Sequence, residues 1–281
     1  MNLQNIFNDI QAADPEFSER ISPRRSVIKN MGRVASMAAL PLAFGSLLKK
    51  AYGKTNDVIT DTLNFALTLE YLEAEFYTMG VAASGLIPAG AATTALTVIR
   101  DHENAHVNFL KAAIPQAGGV AVGKPTFDFT AGDGSNNGPF VGVFSNYALF
   151  LAVAQTFEDT GVRAYKGQAG NLMTSDAILT AALQIHSVEA RHASHIRQKR
   201  KALGTLVDGN PKPWITGKQS NIVANPGSAA IQLSYNGEEL TTQATVNIQT
   251  AGSVSADAAS ESFDEPLTKD QVMTIVAPFI V

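Results

Sequence analysis

Two Glu-x-x-His motifs hold the residues of this chain that are best suited to chemistry. They run from Glu103 to His106 and from Glu189 to His192, in sequence that favours helix. Three residues are close to one turn of an α-helix, so each motif places a carboxylate and an imidazole on one helix face. Divalent Fe and Mn accept such mixed ligands. One motif alone supports a metal site only weakly, because Glu-x-x-His also occurs on solvated helices.

An internal repeat strengthens this interpretation. Glu70 precedes the first motif by about thirty residues and Glu158 precedes the second, each inside an apolar helical segment. A tyrosine follows each glutamate seven residues later, Tyr77 in the first half and Tyr165 in the second. The five residues ending at each glutamate also align, ALTLE with AQTFE. The repeat predicts four helices in two matched pairs, with four glutamates and two histidines on related faces.

The alternative interpretation, without a metal site, is that these six side chains are surface glutamates and structural histidines. Each residue alone favours that reading, but six in a matched pattern on apolar helices reverse it. Burying four carboxylates without a cation would cost too much free energy. We therefore expect a metal site.

Neighbouring side chains leave alternatives open. Glu73 lies one turn beyond Glu70 and is either a group that supports the ligands or a rival ligand, whereas Glu75 is turned away and is expected to be solvated. The hydroxyls of Tyr77 and Tyr165 either bind ligand carboxylates or belong to ordinary core aromatics.

The remaining histidines and two aspartates are weaker candidates. His186 and His195 continue a three-residue ladder around the second motif, and one of them could support the ligands. His102 is interpreted as a surface histidine. Metal-bound imidazoles usually donate their free N–H to a carboxylate, for which Asp101 and Asp159 are the candidates.

The composition predicts a sizeable core. Of 281 residues, 45% are apolar and 16% are charged, and the formal net charge is −4. The one basic cluster, Arg197 to Lys201, is interpreted as favourable charge at a helix C-terminus. We expect no nucleic-acid partner, because nothing resembles a phosphate-tracking stripe. The chain has no cysteine, which excludes disulfides, thiolate metal sites and cysteine nucleophiles.

Residues 1–54 predict a leader with an export signal. The pair Arg24-Arg25 precedes an apolar run from Val34 to Leu48, as in a twin-arginine signal. The run is shorter than the roughly 20 residues that a transmembrane helix needs, so the only membrane contact we expect is through the signal if it is uncleaved. The pattern predicts an exported, periplasmic protein; an ordinary amphipathic helix is the alternative.

Residues 55–204 predict four helices. Apolar residues recur at three- and four-residue spacing from Asn56 to about Val81, and the second helix must end near Pro115. Residues 115–139 are rich in Gly, Pro, Asp and Asn and predict a long crossover.

The third helix is predicted to start at Pro139 and to run to about Gly167. The fourth is predicted to follow Ser175 as its N-cap and to reach about Leu203.

Residues 205–281 predict an irregular extension that folds back on the bundle. Residues Ala244 to Ile248 suggest a short strand. The extension ends with the capping box Thr268 to Gln271, which predicts a last helix.

The chain resembles the bacterial ferritin-like domain family that also includes plant desiccation-related proteins. The resemblance covers about Asp57 to the C-terminus. It implies an all-α fold: a ferritin-like four-helix bundle with a long crossover between helices 2 and 3, and an irregular C-terminal extension that ends in a helix. These motifs specify a fold better than a reaction. They are LNFALTLEYLEAEFY, IRDHENAHVNFL, AQTFEDTGVRAYKG, HSVEARHASHI and FDEPLTKDQVMTIVAPFI.

The resemblance also implies a ligand set for two Fe or two Mn ions. In the family pattern, two carboxylates bridge the ions, and each ion receives one further carboxylate and one imidazole. The bridging residues would be Glu103 and Glu189, the terminal carboxylates Glu70 and Glu158, and the imidazoles His106 and His192.

This resemblance implies metal oxidation or removal of peroxide or dioxygen, with a ferroxidase, peroxidase or catalase-like reaction and dioxygen or peroxide as the small-molecule substrate. The alternative is a non-enzymatic stress or desiccation-related structural protein that retains the bundle. An iron-storage cage is less favoured, because the crossover and the extension would have to fit at cage contacts. The sequence leaves a monomer and a homodimer open.

Overall fold

Four long helices form the frame of the protein. They are α1 (Asn56–Ala82), α2 (Ala91–Gln116), α3 (Tyr147–Gln168) and α4 (Asp176–Ala202). Helix α1 packs along α2, and α3 packs along α4, so the bundle consists of two helical hairpins. The computed structural model describes residues 56–204, 212–222, 228–243 and 245–281. The predicted export signal lies outside these residues.

Within those ranges, no helix combines the length and the apolarity required to cross a membrane.

Short elements complete the described chain. A 3-10 turn follows α3, and the extension holds four short helices, a small hairpin and a final 3-10 turn. In chain order they are Ala169–Leu172 (3-10), α5 (Ser228–Leu233), β1 (Thr242–Gln243), β2 (Val246–Asn247), α6 (Ile248–Ala251), α7 (Ala256–Ser260), α8 (Lys269–Val276) and Ala277–Phe279 (3-10).

Two sequence predictions for the extension can be compared with the structure. The capping box is confirmed: the Thr268 side chain accepts from the Gln271 N–H, and the Gln271 side chain accepts from the Thr268 N–H. The strand prediction is partly wrong, because β1 and β2 pair as an antiparallel hairpin of two residues each and Ile248 already belongs to α6.

The third helix begins later than predicted. Pro139 lies in a series of turns, and α3 begins at Tyr147, where the Asn146 side chain accepts a hydrogen bond from the Leu149 N–H at 3.1 Å. The turn segment contributes the buried Phe140 to the core. Irregular backbone therefore fills this part of the core, and the crossover extends to residue 146.

Helix α3 is enclosed because the extension covers the face that the other helices leave free. Every residue from Phe150 to Tyr165 is buried. Arg163 donates to the carbonyls of Ser234 at 2.6 Å and Glu265 at 2.7 Å. It also pairs with Glu238 at 2.6 Å. The extension is thus fixed to α3 by buried charge-assisted hydrogen bonds.

Two arginines of the basic cluster join this network, which partly corrects its interpretation as charge at a helix terminus. Arg197 and Arg200 are each 2% exposed. Arg197 pairs with Asp159 at 2.5 Å, and Arg200 donates to Gln155 at 2.5 Å and to the Asn221 carbonyl at 2.8 Å. They are buried because the extension covers this side of α4, where a charge needs partners.

One end of the bundle core is filled by aromatic rings. Phe76 stacks on Phe150 with ring centroids 4.7 Å apart and meets Phe157 edge-on at 5.1 Å. A Cβ added to Gly80 would lie 2.3 Å from the Phe150 ring, so only glycine lets α1 approach α3 here. We call this region, defined by Phe76, Phe150 and Phe157, the aromatic end.

Candidate metal centre

All six predicted ligand side chains converge in the interior of the bundle. Each is buried, with at most 7% of its surface exposed, although each is ionisable. Each long helix contributes at least one of them, so the cluster exists only when all four helices are assembled. They are Glu70 on α1, Glu103 and His106 on α2, Glu158 on α3, and Glu189 and His192 on α4.

The six side chains form two overlapping groups that could each hold a metal ion. Within a group, ligand atoms from all members lie within 4.8 Å of one another. Glu103 and Glu189 belong to both groups. Carboxylates shared in this way are suited to bridging two ions. The first group adds Glu70 and His106, and the second adds Glu158 and His192.

The shared carboxylates divide their oxygens between the two histidines. Glu103 Oε2 lies 3.1 Å from His106 Nδ1, while Glu103 Oε1 lies 2.8 Å from His192 Nδ1. Glu189 does the same, with Oε1 at 3.1 Å from His106 Nδ1 and Oε2 at 3.7 Å from His192 Nδ1. The same ring nitrogen, Nδ1, therefore faces the centre in both halves.

The terminal carboxylates take equivalent positions. Glu70 Oε2 lies 3.1 Å from His106 Nδ1, and Glu158 Oε2 lies 3.3 Å from His192 Nδ1. The internal repeat of the sequence is therefore also a repeat of the site geometry.

Several of these atoms are close together without being hydrogen-bonded. Glu103 Oε1, Glu158 Oε2, both oxygens of Glu189 and His192 Nδ1 are buried and find no hydrogen-bond partner among the described residues. The contact between His192 Nδ1 and Glu103 Oε1 is short, but its angles do not suit a hydrogen bond. Buried acceptors without a hydrogen-bond partner lower the stability of the folded state. Convergent acceptors of this kind suit a cation, so the donor set fits Fe or Mn.

Two tyrosines reach across the bundle to the terminal carboxylates. Tyr77 donates to Glu158 Oε1 at 2.5 Å, and Tyr165 donates to Glu70 Oε1. Both rings are buried. Each tyrosine thus serves the glutamate of the other half and not the one that precedes it in sequence. Of the two readings left open by the sequence, the structure supports contact with the site carboxylates.

Glu73 is a fifth buried carboxylate beside the cluster. It is 4% exposed, and burial followed by the charge of Glu189 raises its pKa well above the usual range. A Cβ added to Gly161 would lie 3.3 Å from Glu73 Oε1 and 3.7 Å from Glu189 Oε2. The glycine in α3 therefore leaves room for both carboxylates. Glu73 does not belong to either four-membered group.

A histidine that the sequence interpretation placed on the surface contacts a ligand. His102 Nδ1 lies 2.9 Å from His192 Nε2, on the side of the ring opposite to the centre. This contact fixes the orientation of the His192 ring. Its signal in the sequence is the four-residue spacing between His102 and His106, which places both on one face of α2.

The other candidates for supporting the ligands lie elsewhere. Asp101 is exposed and accepts from Arg100 at 2.6 Å, and Asp159 is engaged by Arg197, so neither holds a ligand imidazole. His186 Nδ1 donates to the Val162 carbonyl at 2.9 Å. The structure does not bring His186 into the cluster.

Burial sets the electrostatics of the carboxylates. It raises the pKa of Glu70 to about 8, against the opposing charge of His106. It also raises the pKa of Glu158 well above its usual range, against the opposing charge of His192. Glu189 differs: burial raises its pKa, but the positive charges of His106 and His192, whose Nδ1 atoms face its two oxygens, outweigh burial and lower it. Glu189 is therefore held in its ionised form.

The histidines experience the complementary field. Burial lowers the pKa of His106, but the charge of Glu70 and the hydrogen bonds that the imidazole donates to Glu103 and Glu70 raise it far above its usual value. The pKa of His192 is raised in the same way, with Glu158 as the main charge. The cluster therefore favours positive charge at two positions, one in each half.

A bundle whose interior presents carboxylates and histidines from four helices defines the class of ferritin-like proteins. The family model described as a ferritin-like domain matches residues 59–202, which span α1 to α4 and make up more than half of the chain. The chain belongs to the ferritin-like domain family, as its motifs predicted. The comparison with curated proteins found no match. The finer resemblance to desiccation-related proteins stays a prediction.

Proposed function

We propose that this protein is an exported oxidoreductase whose bundle binds two Fe or two Mn ions and acts on dioxygen or hydrogen peroxide. The observation that carries the proposal is the pair of overlapping ligand groups that share Glu103 and Glu189. Two adjacent divalent ions repel each other, so a dinuclear site needs several anions and at least one bridge. This chain offers both in a buried, water-poor interior.

The bound ions would supply electrons and Lewis acidity. The residues of the chain set the conditions for this chemistry. Glu103 and Glu189 direct one oxygen to each half, and the histidines present the same nitrogen. Tyr77 and Tyr165 hold the outer oxygens of the terminal carboxylates, so each of these carboxylates keeps its other oxygen turned towards the centre.

The electron count fits a pair of metals. Dioxygen takes up two electrons and two protons to become hydrogen peroxide, and hydrogen peroxide takes up two more of each to become two water molecules. Two divalent ions held between Glu103 and Glu189 would supply the two electrons that either step needs.

The first test is metal content per chain, measured by elemental analysis. Protein should be purified without chelator and also reconstituted anaerobically with Fe(II) or Mn(II). About two ions per chain are expected. Added metal should also raise the thermal midpoint, because the site exists only in the folded state. No uptake by the native chain would contradict the proposal and favour a structural protein that keeps the bundle.

Variants identify the ligands. His192→Ala should lose bound metal. His195→Ala is the control: the His195 side chain is half-buried and lies one turn further along α4, so this variant should keep the metal. A His192→Ala protein that retains two ions contradicts the ligand set. Glu70→Ala should lose part of the bound metal, because Glu70 belongs to one group only. Its control is Glu75→Ala, since Glu75 instead pairs with Lys124.

Turnover separates an enzyme from a structural metalloprotein. The loaded protein should be assayed for Fe(II) oxidation and for peroxide consumption, with the metal-free protein as control. Metal binding without turnover of either substrate would support the structural alternative.

Export rests on the N-terminal sequence. The Arg24-Arg25 pair resembles the twin-arginine signal of a route that carries folded, metal-loaded cargo. Replacing both arginines by lysine should retain the protein in the cytoplasm. Unchanged export of that variant would contradict this part of the proposal.

A further inference from the structure

An apolar cavity lies inside the bundle at the end opposite to the aromatic rings. Its volume is about 20 Å³, and its walls come from all four long helices. Ala66 of α1, Leu110 of α2, Tyr165 of α3 and Ile185 of α4 are among the lining residues. We call this region, defined by those four residues, the cavity end.

The cavity adjoins the candidate metal centre along the bundle axis. Three of its lining residues stand four positions, or about 6 Å of helix, from a predicted ligand on the same helix. The fourth, Tyr165, donates its hydroxyl to Glu70. The three pairs are Ala66 with Glu70, Leu110 with His106, and Ile185 with Glu189.

The chemistry of the walls selects the occupant. The lining residues include the polar Thr62 and Gln168 as well as Tyr165, whose hydroxyl Glu70 already engages, but the surface that faces the cavity is almost entirely hydrocarbon. An apolar cavity does not retain water, because a water molecule needs two or more polar partners. Hydrogen peroxide needs such partners as well. Dioxygen does not: it is apolar and small enough for a space that would hold about one water-sized molecule.

The two approaches along the bundle axis are not equivalent. At the aromatic end, the stacked rings of Phe76 and Phe150 occupy the corresponding space. An apolar molecule moving along the axis would therefore reach the cluster from the cavity end, on the side of Glu70 and His106.

We propose that the cavity is a dioxygen-binding site beside the metal centre, which makes dioxygen and not hydrogen peroxide the oxidant of the proposed reaction. The choice of oxidant rests on the proposed function, but binding of dioxygen in the cavity does not depend on bound metal. The two can therefore fail separately.

The direct test uses dioxygen as the probe on the full-length, metal-free protein. Methyl relaxation is measured by NMR with and without dissolved dioxygen, which is paramagnetic. The methyl groups of Ala66 and Ile185 should show a several-fold larger dioxygen-dependent relaxation than that of Ala154, the repeat partner of Ala66 in the core at the aromatic end. Equal relaxation at the two ends would overturn the proposal.

Variants that fill the cavity provide the second arm. Ala66→Val on α1 and Ala182→Val on α4 each place added methyl groups in the space, and either alone suffices if the other fails to fold. Both should lose the enhanced relaxation of Ile185. Ala154→Val is the matched control and should leave it unchanged. Enhancement that survives both filling variants would overturn the proposal.

Kinetics of the Fe(II)-loaded protein complete the test. In Ala66→Val, oxidation driven by dioxygen should slow several-fold, whereas oxidation driven by added hydrogen peroxide should stay near the native rate. Equal slowing of both reactions, or of neither, would overturn the choice of oxidant. A chain that takes up no Fe(II) but still shows dioxygen in the cavity would instead contradict the proposed function.

Discussion

The aromatic end and the cavity end flank the same cluster of ligands but fill their space differently. The internal repeat relates the two ends residue by residue. Ala164 stands where the first half has Phe76, and Thr62 stands where the second half has Phe150. Both small residues line the cavity. The cavity is therefore the place where the repeat replaces two stacked rings by an alanine and a threonine.

This difference separates what a metal pair requires from what a substrate requires. Two ions need equivalent ligands, and the six side chains keep the symmetry of the repeat. A small oxidant would need only one entrance, and the surroundings of the cluster break the symmetry to leave space on one side. On the proposed function, the cavity end would be that entrance.

The largest expected effect comes from removing a ligand that both halves share. Glu189→Ala should abolish binding of both ions, because its oxygens serve both groups. Glu70→Ala, at the cavity end, and Glu158→Ala each remove a carboxylate from one group only and should retain more metal. Elemental analysis after reconstitution gives the ranking. Equal metal content in all three variants would break the distinction between shared and terminal carboxylates.

A smaller effect is expected from making the aromatic end resemble the cavity end. Phe76→Ala introduces the residue found at the repeat position and removes a fully buried ring. The free energy of unfolding should fall by about 3–5 kcal/mol, measured by denaturant titration. Val98→Ala on the exposed side of α2 is the control and should stay within about 0.5 kcal/mol of the native value. A loss below ~1 kcal/mol for Phe76→Ala would mean that the ring is not tightly packed.

The reverse experiment adds the same group at both ends. Ala154→Val at the aromatic end should lower the free energy of unfolding by about 1–3 kcal/mol through overpacking. Ala66→Val should cost less than about 1 kcal/mol, because its methyl groups enter the cavity. Both positions are helical, so the propensity cost of valine cancels in the comparison. Equal losses would show that the two ends are packed alike.

The smallest effect concerns protons at the cavity end. The raised pKa of Glu70, about 8, means that this carboxyl is largely protonated at pH 7 and largely ionised at pH 9 in the metal-free protein. Metal binding requires the ionised form. Binding should therefore release more protons at pH 7 than at pH 9, by about one proton for Glu70. Calorimetry in two buffers of different ionisation enthalpy measures the release, and a release independent of pH would contradict the raised pKa.

The same pKa gives a sign for stability without metal. The folded pKa of Glu70 lies above its usual value of 4.5, so the folded state binds the proton more tightly than the unfolded state. This contribution to stability is complete below about pH 4.5 and is lost as the pH rises towards 8. In the metal-free protein, a thermal midpoint that increases over this range would contradict the burial of Glu70.

The sequence predicts the frame of the site because its signals are local. Helical periodicity places α1, α2 and α4 nearly at their observed ends, and the three-residue spacing of Glu and His predicts a shared face. The repeat then identifies Glu70 over Glu73, since only Glu70 has a counterpart in the second half. These inferences need no knowledge of what packs against each helix.

What the sequence did not predict depends on contacts between distant segments. Pro139 is a favourable first residue for a helix, but the core needs Phe140 in a turn. Arg197 and Arg200 resemble terminal charges until the extension covers them. His102 becomes a partner of His192 only because α2 and α4 meet in the bundle. In each case, a tertiary contact outweighs the local preference.

The crossed tyrosines have a consequence for the order in which the protein is made. Tyr77 leaves the ribosome long before Glu158, and Glu70 waits longer still for Tyr165. The last two ligands, Glu189 and His192, are synthesised after both pairs. A nascent chain therefore lacks the complete ligand set until its fourth helix has emerged, so the metal pair of the proposed function could be loaded only from that point on.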